Sequence, residues 1–519
     1  MAADPIGEVI VEITTYTTRS SASAQVFPDT TSPSNLDITS TNWEGSELNP
    51  QDAWLPVTES RNGNTYYATF HLLCSGIGTQ ALLLPLAFAT LGWAWGIICF
   101  LLAFVWQIYT KWLLVHLHES ENGFRNSRYL HLAVTAFGKK LGMILAMFPV
   151  IYQSNGACAQ LIIVGGGTLK LFFKTVCEDG ATCHPLTGTE CFLLFTCVAV
   201  VLAQCPNLNS VARLSLIGAI ASVVYCTTVW TLSVGKGRDH DHTSYDPPAM
   251  ESTMDIFGGK LNAVGIIFLT FRGHNVILEI QCSMDDPQHR LATDALPSSW
   301  VICAMYLSIY VKGTLPSNPK YPIHKRMWRG VTVACALIAM CFLPLAIGGF
   351  WAFGNKVPTS YRGVLILVSQ FHGHKNTSKF VLGSFCMLVV IHSLSTFQIF
   401  GMVAFDNLES KYTIRKNKPC PRWLRVALRI FFGGVEFFIA VALPFLGSLA
   451  PLIGGLTLPL AYAYPCFMWI SIKKPKQKGA VWWINMGLGC LGLALSVILV
   501  VAAAWNLADK GLNANFFKP

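Results

Sequence analysis

Eleven apolar segments, each long enough to cross a lipid bilayer as a helix, recur along this 519-residue chain. Charged residues make up only 12% of the sequence, about half the fraction found in soluble domains. We therefore predict an all-α polytopic membrane protein with 11 transmembrane helices. The segments cover residues 66–90, 93–116, 141–168, 189–205, 212–235, 259–282, 328–353, 379–404, 423–444, 447–470 and 481–505.

The N-terminal region differs sharply from these segments. Residues 1–60 hold nine acidic residues against the single basic Arg19 and are rich in Ser, Thr and Pro. Such a composition cannot bury enough apolar surface to fold alone. We predict a disordered acidic tail over 1–60, a transmembrane domain over 61–505, and a short tail over 506–519. Within that domain, the amphipathic Tyr129 to Phe137 predicts a helix lying at the membrane interface.

Lys and Arg in the predicted loops cluster on one side of the membrane. The strongest clusters are Lys411 to Arg429 and Lys473 to Lys478, and the positive-inside rule places them in the cytoplasm. The N-terminal tail is then cytoplasmic, and the odd number of spans leaves the C-terminal tail extracellular.

Two further features fall on the predicted outer side. Asn376 begins the sequence Asn-Thr-Ser, which is a glycosylation acceptor. Cys177 and Cys183 share a short polar loop, where a disulfide and two free thiols are equally compatible with the sequence.

The first and sixth apolar segments are both interrupted by glycine and polar residues, at Ser75 to Gln80 and at Phe271 to Asn275. Secondary transporters built from two inverted five-helix repeats bind their substrates at two such broken helices. The spacing of five segments therefore favours this architecture. The alternative for either interruption alone is that glycine permits close packing of helices.

A broken helix exposes backbone N–H groups on one side of the break and carbonyl groups on the other, so it offers places for an anion and a cation. An amino acid carries both charges. We expect Gly76 to Thr79 to receive the α-carboxylate, while the Thr270 hydroxyl and the carbonyls of Phe271 to Gly273 receive the ammonium group. The candidate substrate-binding residues are Ser75, Gly76, Ile77, Gly78, Thr79, Thr270, Phe271, Arg272, Gly273, His274, Asn275 and Ser393.

The substrate side chain would project toward Tyr152, Gln153, Asn155 and the stretch Ser393 to Gln398. The alternative for this last group is hydrogen bonding between packed helices.

His274 is the first candidate for proton coupling, because histidine alone titrates near neutral pH without perturbation. A neutral histidine bonded to a backbone carbonyl is the alternative. Glu279 could share the proton or pair with Arg272, whose guanidinium should point away from a bound amine. His392 and Glu436 are second-rank candidates, and a sodium site of carbonyl and hydroxyl oxygens between the first and eighth spans stays open.

No nucleophile elbow, P-loop or dinucleotide fingerprint occurs in the sequence. We predict no enzyme activity, no cofactor, no metal site and no nucleic-acid partner; the predicted partners are an amino acid, protons and the lipid bilayer. The sequence leaves the oligomeric state open.

Several strings in the sequence are specific enough to compare with known families: Asn49 to Pro56, Leu84-Pro85, Leu91 to Trp93, Cys205 to Ser210, Phe271 to Gln281, Met327 to Gly330 and Ala463 to Cys466. They make the chain resemble the amino acid/auxin permease family, in its plant lysine/histidine transporter-like branch. The resemblance implies a proton-coupled amino-acid importer of the plasma membrane, driven by the proton gradient. It also implies a leucine-transporter-like 5+5 inverted repeat, here about 66–235 and 259–470, with an extra helix at 481–505.

The chain departs from the family pattern at residues 283–312. The apolar part of this insertion, Trp300 to Val311, is too short to span a bilayer, and a crossing there would move the later basic clusters outside. We predict a cytoplasmic loop insertion.

Three functions are consistent with these features. A proton-coupled amino-acid symporter that works by alternating access is the main expectation. An auxin or organic-acid carrier of the same fold, and an amino-acid-sensing transceptor with weak transport, are the alternatives.

Overall fold

The computed structural model describes residues 54–60, 63–119, 125–177, 186–236, 244–246, 253–284, 323–356, 378–444, 450–477 and 479–510. Helices dominate this part of the chain. The α-helices are α1 (Thr65–Gly76), α2 (Leu84–Leu117), α3 (Tyr129–Phe137), α4 (Lys139–Ile151), α5 (Ala157–Cys177), α6 (Gly188–Leu202), α7 (Ala212–Lys236), α8 (Thr253–Thr270), α9 (Ile277–Cys282), α10 (Ile323–Phe353), α11 (Lys379–Lys416), α12 (Arg422–Ala442), α13 (Ala450–Tyr462), α14 (Tyr464–Lys473) and α15 (Ala480–Lys510).

Among the described residues, eight helical stretches are long and apolar enough to cross a membrane. Their outer surfaces carry exposed apolar side chains such as Leu102, Ile144 and Trp483, whereas Phe342 and Phe400 are buried in the centre of the bundle. Apolar side chains on the outside are stable in lipid, which is as apolar as they are. The prediction of an all-helical multi-pass membrane protein is therefore confirmed, while the count of 11 spans stays a prediction.

The first predicted span is interrupted where its glycines lie. Helix α1 ends at Gly76, Ile77 and Gly78 are extended, and a 3₁₀-helix at Thr79–Leu83 leads into α2. Farther along α2, Gly92 has a φ of 76°, which glycine adopts without steric cost. This kink separates the end of the first predicted span from the second.

The sixth predicted span is interrupted in the same way. Helix α8 ends at Thr270, and Gly273 adopts the left-handed conformation with a φ of 92°. A short 3₁₀-helix at His274–Val276 then leads into α9. Both predicted interruptions are thus real breaks in helical structure.

Two other predicted spans are less regular than expected. The third contains a π-helix at Tyr152–Gly156 between α4 and α5, a feature that often marks functional positions in helices. The tenth is divided at Ala463, between α13 and α14, with Pro459 and Pro465 on either side. Proline weakens a helix because it lacks an N–H donor.

The predicted interfacial segment does form a helix, α3. The Tyr129 hydroxyl donates to the Leu460 carbonyl over 2.7 Å, and the Phe137 ring packs edge-on against Tyr464 at 6.3 Å between centroids. These contacts fix α3 to α13 and α14.

Several predicted features lie outside the described residues. They are both chain ends, Asn376, Cys183 and all of the insertion beyond Met284. Cys177 is disulfide-bonded, but its pairing with Cys183 stays a prediction.

Candidate substrate site

The two helix breaks lie against each other. A β-carbon built at Gly273 would lie 3.3 Å from Ser75 Oγ and 4.0 Å from the Gly76 backbone. Since Gly273 also has a positive φ, both its conformation and this close approach favour glycine. The fold therefore joins two interruptions that are five predicted spans apart in the sequence.

The joined breaks present backbone groups of opposite polarity. The 3₁₀-helix that begins at Thr79 has N–H groups at its start that lack helical partners, and these point into the first break. Helix α8 has carbonyl groups at its end that point into the second break. The Thr270 hydroxyl donates to the Ile266 carbonyl over 2.6 Å, so its lone pairs can still accept. Buried Asn275 has no hydrogen-bond partner for its amide within the described residues. The junction can therefore hold an anion at one end and a cation at the other.

The Arg272 side chain covers the first break. Its Nη1 donates to Gln80 Oε1 over 2.6 Å, and a β-carbon at Gly78 would lie 2.7 Å from that nitrogen. The guanidinium carbon is 5.8 Å from the centroid of the Phe400 ring, a favourable distance for a cation–π contact. This side chain therefore adds positive charge where the carboxylate is predicted to bind.

A pocket opens beside the second break. Tyr152 and Gln153 line it as expected for side-chain contacts, and the Tyr152 hydroxyl accepts from Gln160 Nε2 over 2.9 Å. Among the described residues that line it, none is Asp or Glu. Its polar lining consists of Gln80, Tyr152, Gln153, Gln160, Asn262, Arg272, His274, Thr457 and Tyr462.

Several predicted binding residues do not line this pocket. Ser75 to Gly78 are buried at the junction, where Arg272 covers Gly78. Asn155 and Ser393 are also absent from the lining, so their roles stay predictions. Ser393 is fully buried, and its hydroxyl has no hydrogen-bond partner within the described residues.

His274 forms one wall of the pocket and is otherwise buried. Its Nε2 lies 3.1 Å from Thr110 Oγ1, and its ring centroid is 6.0 Å from that of Tyr462. The Nδ1 atom has no hydrogen-bond partner within the described residues. The ring of His274 thus contacts a hydroxyl group and also bonds to the backbone of Gln107, so the alternative of a backbone carbonyl bond stays open. Lys111, the residue after Thr110, is buried and its charge acts on the imidazole.

Glu279 belongs to a different polar cluster, at one end of the bundle. Its Oε1 accepts from the Tyr129 N–H over 3.3 Å. Nearby, Arg128 Nε donates to Asp406 Oδ2 over 2.6 Å, and the Val57 N–H donates to Asp406 Oδ1 over 3.2 Å. The alternative in which Glu279 pairs with Arg272 is therefore wrong for this structure, because their partners lie in different places.

A second ion cluster closes the same end of the bundle. Arg425 lies 3.0 Å from Glu59 and 2.9 Å from Glu409, while Arg429 lies 3.5 Å from Glu409. Arg429 also donates to the Ala203 carbonyl over 2.6 Å. Charged groups that are buried in a protein are stable only when they are paired and hydrogen-bonded. These pairs tie residues 54–60 and α12 to the transmembrane helices.

Sequence reasoning missed the contact of Arg272 with Gly78 and the partners of Arg128 and Arg425. The only sequence signal for them is the presence of charged residues within or beside apolar segments, which marks functional positions but gives no partner.

The broken helices and the polar pocket at their junction are features of secondary transporters. Two solved transporter structures have a similar fold, each with 11% sequence identity. MhsT in complex with L-phenylalanine gives a TM-score of 0.52 and covers 86% of this chain and 99% of MhsT. A substrate-bound Na⁺-coupled sialic acid symporter gives 0.50 and covers 88% of this chain and 93% of its own. The leucine-transporter-like fold is therefore supported.

Residues 61–315 and 307–507 match the model of the family described as transmembrane amino acid transporter protein. Lysine histidine transporter-like 8 from Arabidopsis thaliana is 49% identical over 91% of this chain and 85% of its own length. Lysine histidine transporter-like 7 from the same plant is 44% identical over 91% and 90%. The chain belongs to this family of amino-acid transporters and is not an enzyme, as the resemblance in its sequence predicted.

Proposed function

We propose that this protein is a proton-coupled symporter that imports amino acids across the plasma membrane by alternating access. The observation that carries the proposal is the junction of the two helix breaks, whose polar groups match the two charges of an amino acid. Membership of the amino-acid transporter family supports the substrate class.

In this proposal the α-carboxylate binds the N–H groups at Gly78 and Thr79, and the ammonium group binds the carbonyls of Phe271 to Gly273. The Arg272 guanidinium contacts Gly78 in the structure, so it moves aside or joins the carboxylate when substrate enters. The substrate side chain then extends into the pocket lined by Tyr152 and Gln153.

His274 and Glu279 are the proposed proton-carrying residues. His274 faces the pocket, and its Nδ1 can take up a proton without breaking a hydrogen bond within the described residues. Glu279 has a buried Oε2 atom with no such partner. The two side chains occupy the junction and the closed end of the bundle, which are regions that must rearrange during alternating access.

The proposed topology has 11 spans, a cytoplasmic N-terminus and an extracellular C-terminus, with 283–312 as a cytoplasmic loop insertion. In this topology, the end of the bundle that Asp406 and Arg425 close is the cytoplasmic end. The pocket beside the second break, which α13 helps to line, then lies toward the outside.

Uptake of radiolabelled amino acids by yeast that lacks its own amino-acid transporters tests the function. We expect saturable uptake that rises at acid pH and falls with a protonophore. The matched control is the Gly273→Val variant, in which a branched side chain would be forced against Ser75 at a positive φ. Uptake no greater than in this variant, with wild-type protein shown at the cell surface, would reject amino-acid transport. Uptake that is indifferent to pH and to the protonophore would reject proton coupling alone.

A further inference from the structure

Another buried histidine, His392 on α11, lies beside the first helix break and does not line the pocket. Its Nδ1 is 3.2 Å from the Gly218 carbonyl on α7, and its Nε2 is 3.3 Å from Thr396 Oγ1. The backbone of Ile77 also makes a polar contact with the ring. The imidazole therefore contacts the first break and one neighbouring helix, α7.

Thr396 connects this ring to the end of α1. Its hydroxyl donates to the Cys74 carbonyl over 3.0 Å. Because α1 ends at Gly76, this carbonyl is one of the last in the helix, which have no helical N–H partner. The Cys74 thiol lies 3.3 Å from the same hydroxyl, so it can donate to the oxygen or accept from it.

The protonation state of the ring decides which hydrogen bonds Thr396 can make. A carbonyl only accepts, so the Gly218 contact requires a proton on Nδ1. If the Thr396 hydroxyl gives its proton to the Cys74 carbonyl, its oxygen is left to accept from Nε2. A neutral imidazole serves both contacts only if the Thr396 hydroxyl turns to donate to Nε2 and gives up the Cys74 carbonyl, whereas imidazolium serves both and leaves that bond in place. The final turn of α1 adds the negative end of a helix dipole, which favours a cation.

We propose that His392 is a proton-binding site that is coupled to the break in the first span. This inference rests on the proposed function and adds a site that is distinct from His274. When the proton leaves, the Thr396 hydroxyl turns to donate to Nε2 and its bond to the Cys74 carbonyl is lost, and with it a link between α11 and the end of α1 that helps to shape the carboxylate site.

Other titratable groups face the ring from the helices around it. They are Cys74 on α1, Tyr225 on α7 with its ring centroid 5.5 Å away, and Arg272 at the second break. His71 on α1 instead bonds to Ser215 over 2.8 Å. The positive charge of Arg272 opposes a proton on His392, since like charges repel. A substrate carboxylate beside Arg272 would reduce that repulsion, so substrate and proton would favour each other's binding, as linkage requires of coupled sites.

Proteoliposomes with the membrane potential clamped at zero provide the test. Labelled neutral amino acid is followed in two ways, as exchange without a gradient and as accumulation driven by an inward gradient of one pH unit. For one proton per substrate, wild type should accumulate amino acid about tenfold. His392→Gln, which cannot hold a positive charge, should still exchange but show no accumulation. The control His116→Gln changes a histidine that bonds to the Trp112 carbonyl and should keep the tenfold accumulation.

Tenfold accumulation by His392→Gln would overturn the inference. Exchange without accumulation by the wild-type protein would also overturn the inference, but it would leave amino-acid transport intact. Absence of exchange by the wild-type protein would reject the proposed function together with the inference. If His392→Gln fails to exchange, Thr396→Val decides instead, because it removes the hydroxyl that links the ring to Cys74. Accumulation by Thr396→Val at the wild-type level would contradict the proposal, and its loss with exchange retained would support it.

Discussion

The ion pair between Arg128 and Asp406 should hold one end of the helical bundle closed. Asp406 accepts from Arg128 Nε over 2.6 Å and from the Val57 N–H over 3.2 Å, and its side chain is only 3% exposed. Asp406→Asn keeps an oxygen for the Val57 N–H but removes the negative charge. The variant therefore tests the ion pair with little change in shape.

The expected effect follows from the strength of a charge-assisted hydrogen bond. Such bonds contribute about 1.5–3 kcal/mol, and Arg128 is 23% exposed, so some of its charge stays solvated. If the ion pair exists only in the closed state, Asp406→Asn should raise the fraction of protein that is open at this end roughly ten- to 150-fold. The partial exposure of Arg128 favours the lower part of this range.

Cys282 reports this opening, because it is buried and its sulfur lies 3.8 Å from the Val57 carbonyl oxygen. Its labelling rate with N-ethylmaleimide, measured peptide by peptide by mass spectrometry, should rise at least tenfold in Asp406→Asn. The control Glu119→Gln affects the longer contact with Arg125, at 4.0 Å, and should change the rate less than about threefold. Equal Cys282 labelling in wild type and Asp406→Asn would refute the role of the pair as a closure.

Three further predictions concern the candidate site. Gly273→Ala should abolish amino-acid uptake, because the added carbon meets Ser75 at a residue with a positive φ. Surface expression, measured by biotinylation, should stay within twofold of wild type. Uptake above half of the wild-type rate would contradict this prediction. Tyr152→Phe removes the hydroxyl that accepts from Gln160 and should raise the KM of uptake by about three- to tenfold, as expected for the loss of one hydrogen bond, whereas an unchanged KM would place substrate elsewhere. Gln80→Ala frees Arg272 from its 2.6 Å bond and should change substrate affinity in direct binding assays at least threefold; identical affinity would show that the contact does not affect the site.

The two helix breaks could be predicted from the sequence because their cause is local. Glycine and polar residues within an apolar segment weaken a membrane helix wherever it packs, and Gly78 and Gly273 mark both interruptions. The kink at Gly92 coincides with the predicted boundary between the first two spans for the same reason. Local conformational preference therefore defined this part of the fold.

The partners of the charged side chains could not be predicted in this way. Arg272 bonds to Gln80 and Arg128 to Asp406, and each pair is formed by residues far apart in the chain. The sequence shows that a charged residue lies within or beside an apolar segment, where burying its charge is costly. It does not show in which direction the side chain points. Ser393 shows the same limit, since the rotation of α11 decides whether its side chain lines the pocket, and the sequence does not give that rotation.

The central claim is that an amino acid binds at the junction of the two helix breaks. A cryo-EM structure of the purified protein with a transported amino acid tests this most directly. We predict density for the carboxylate at the N–H groups of Gly78 and Thr79, density for the ammonium group at the carbonyls of Phe271 to Gly273, and an Arg272 guanidinium that has left Gly78 or contacts the carboxylate. Substrate density away from both breaks, with Arg272 still covering Gly78, would contradict the account.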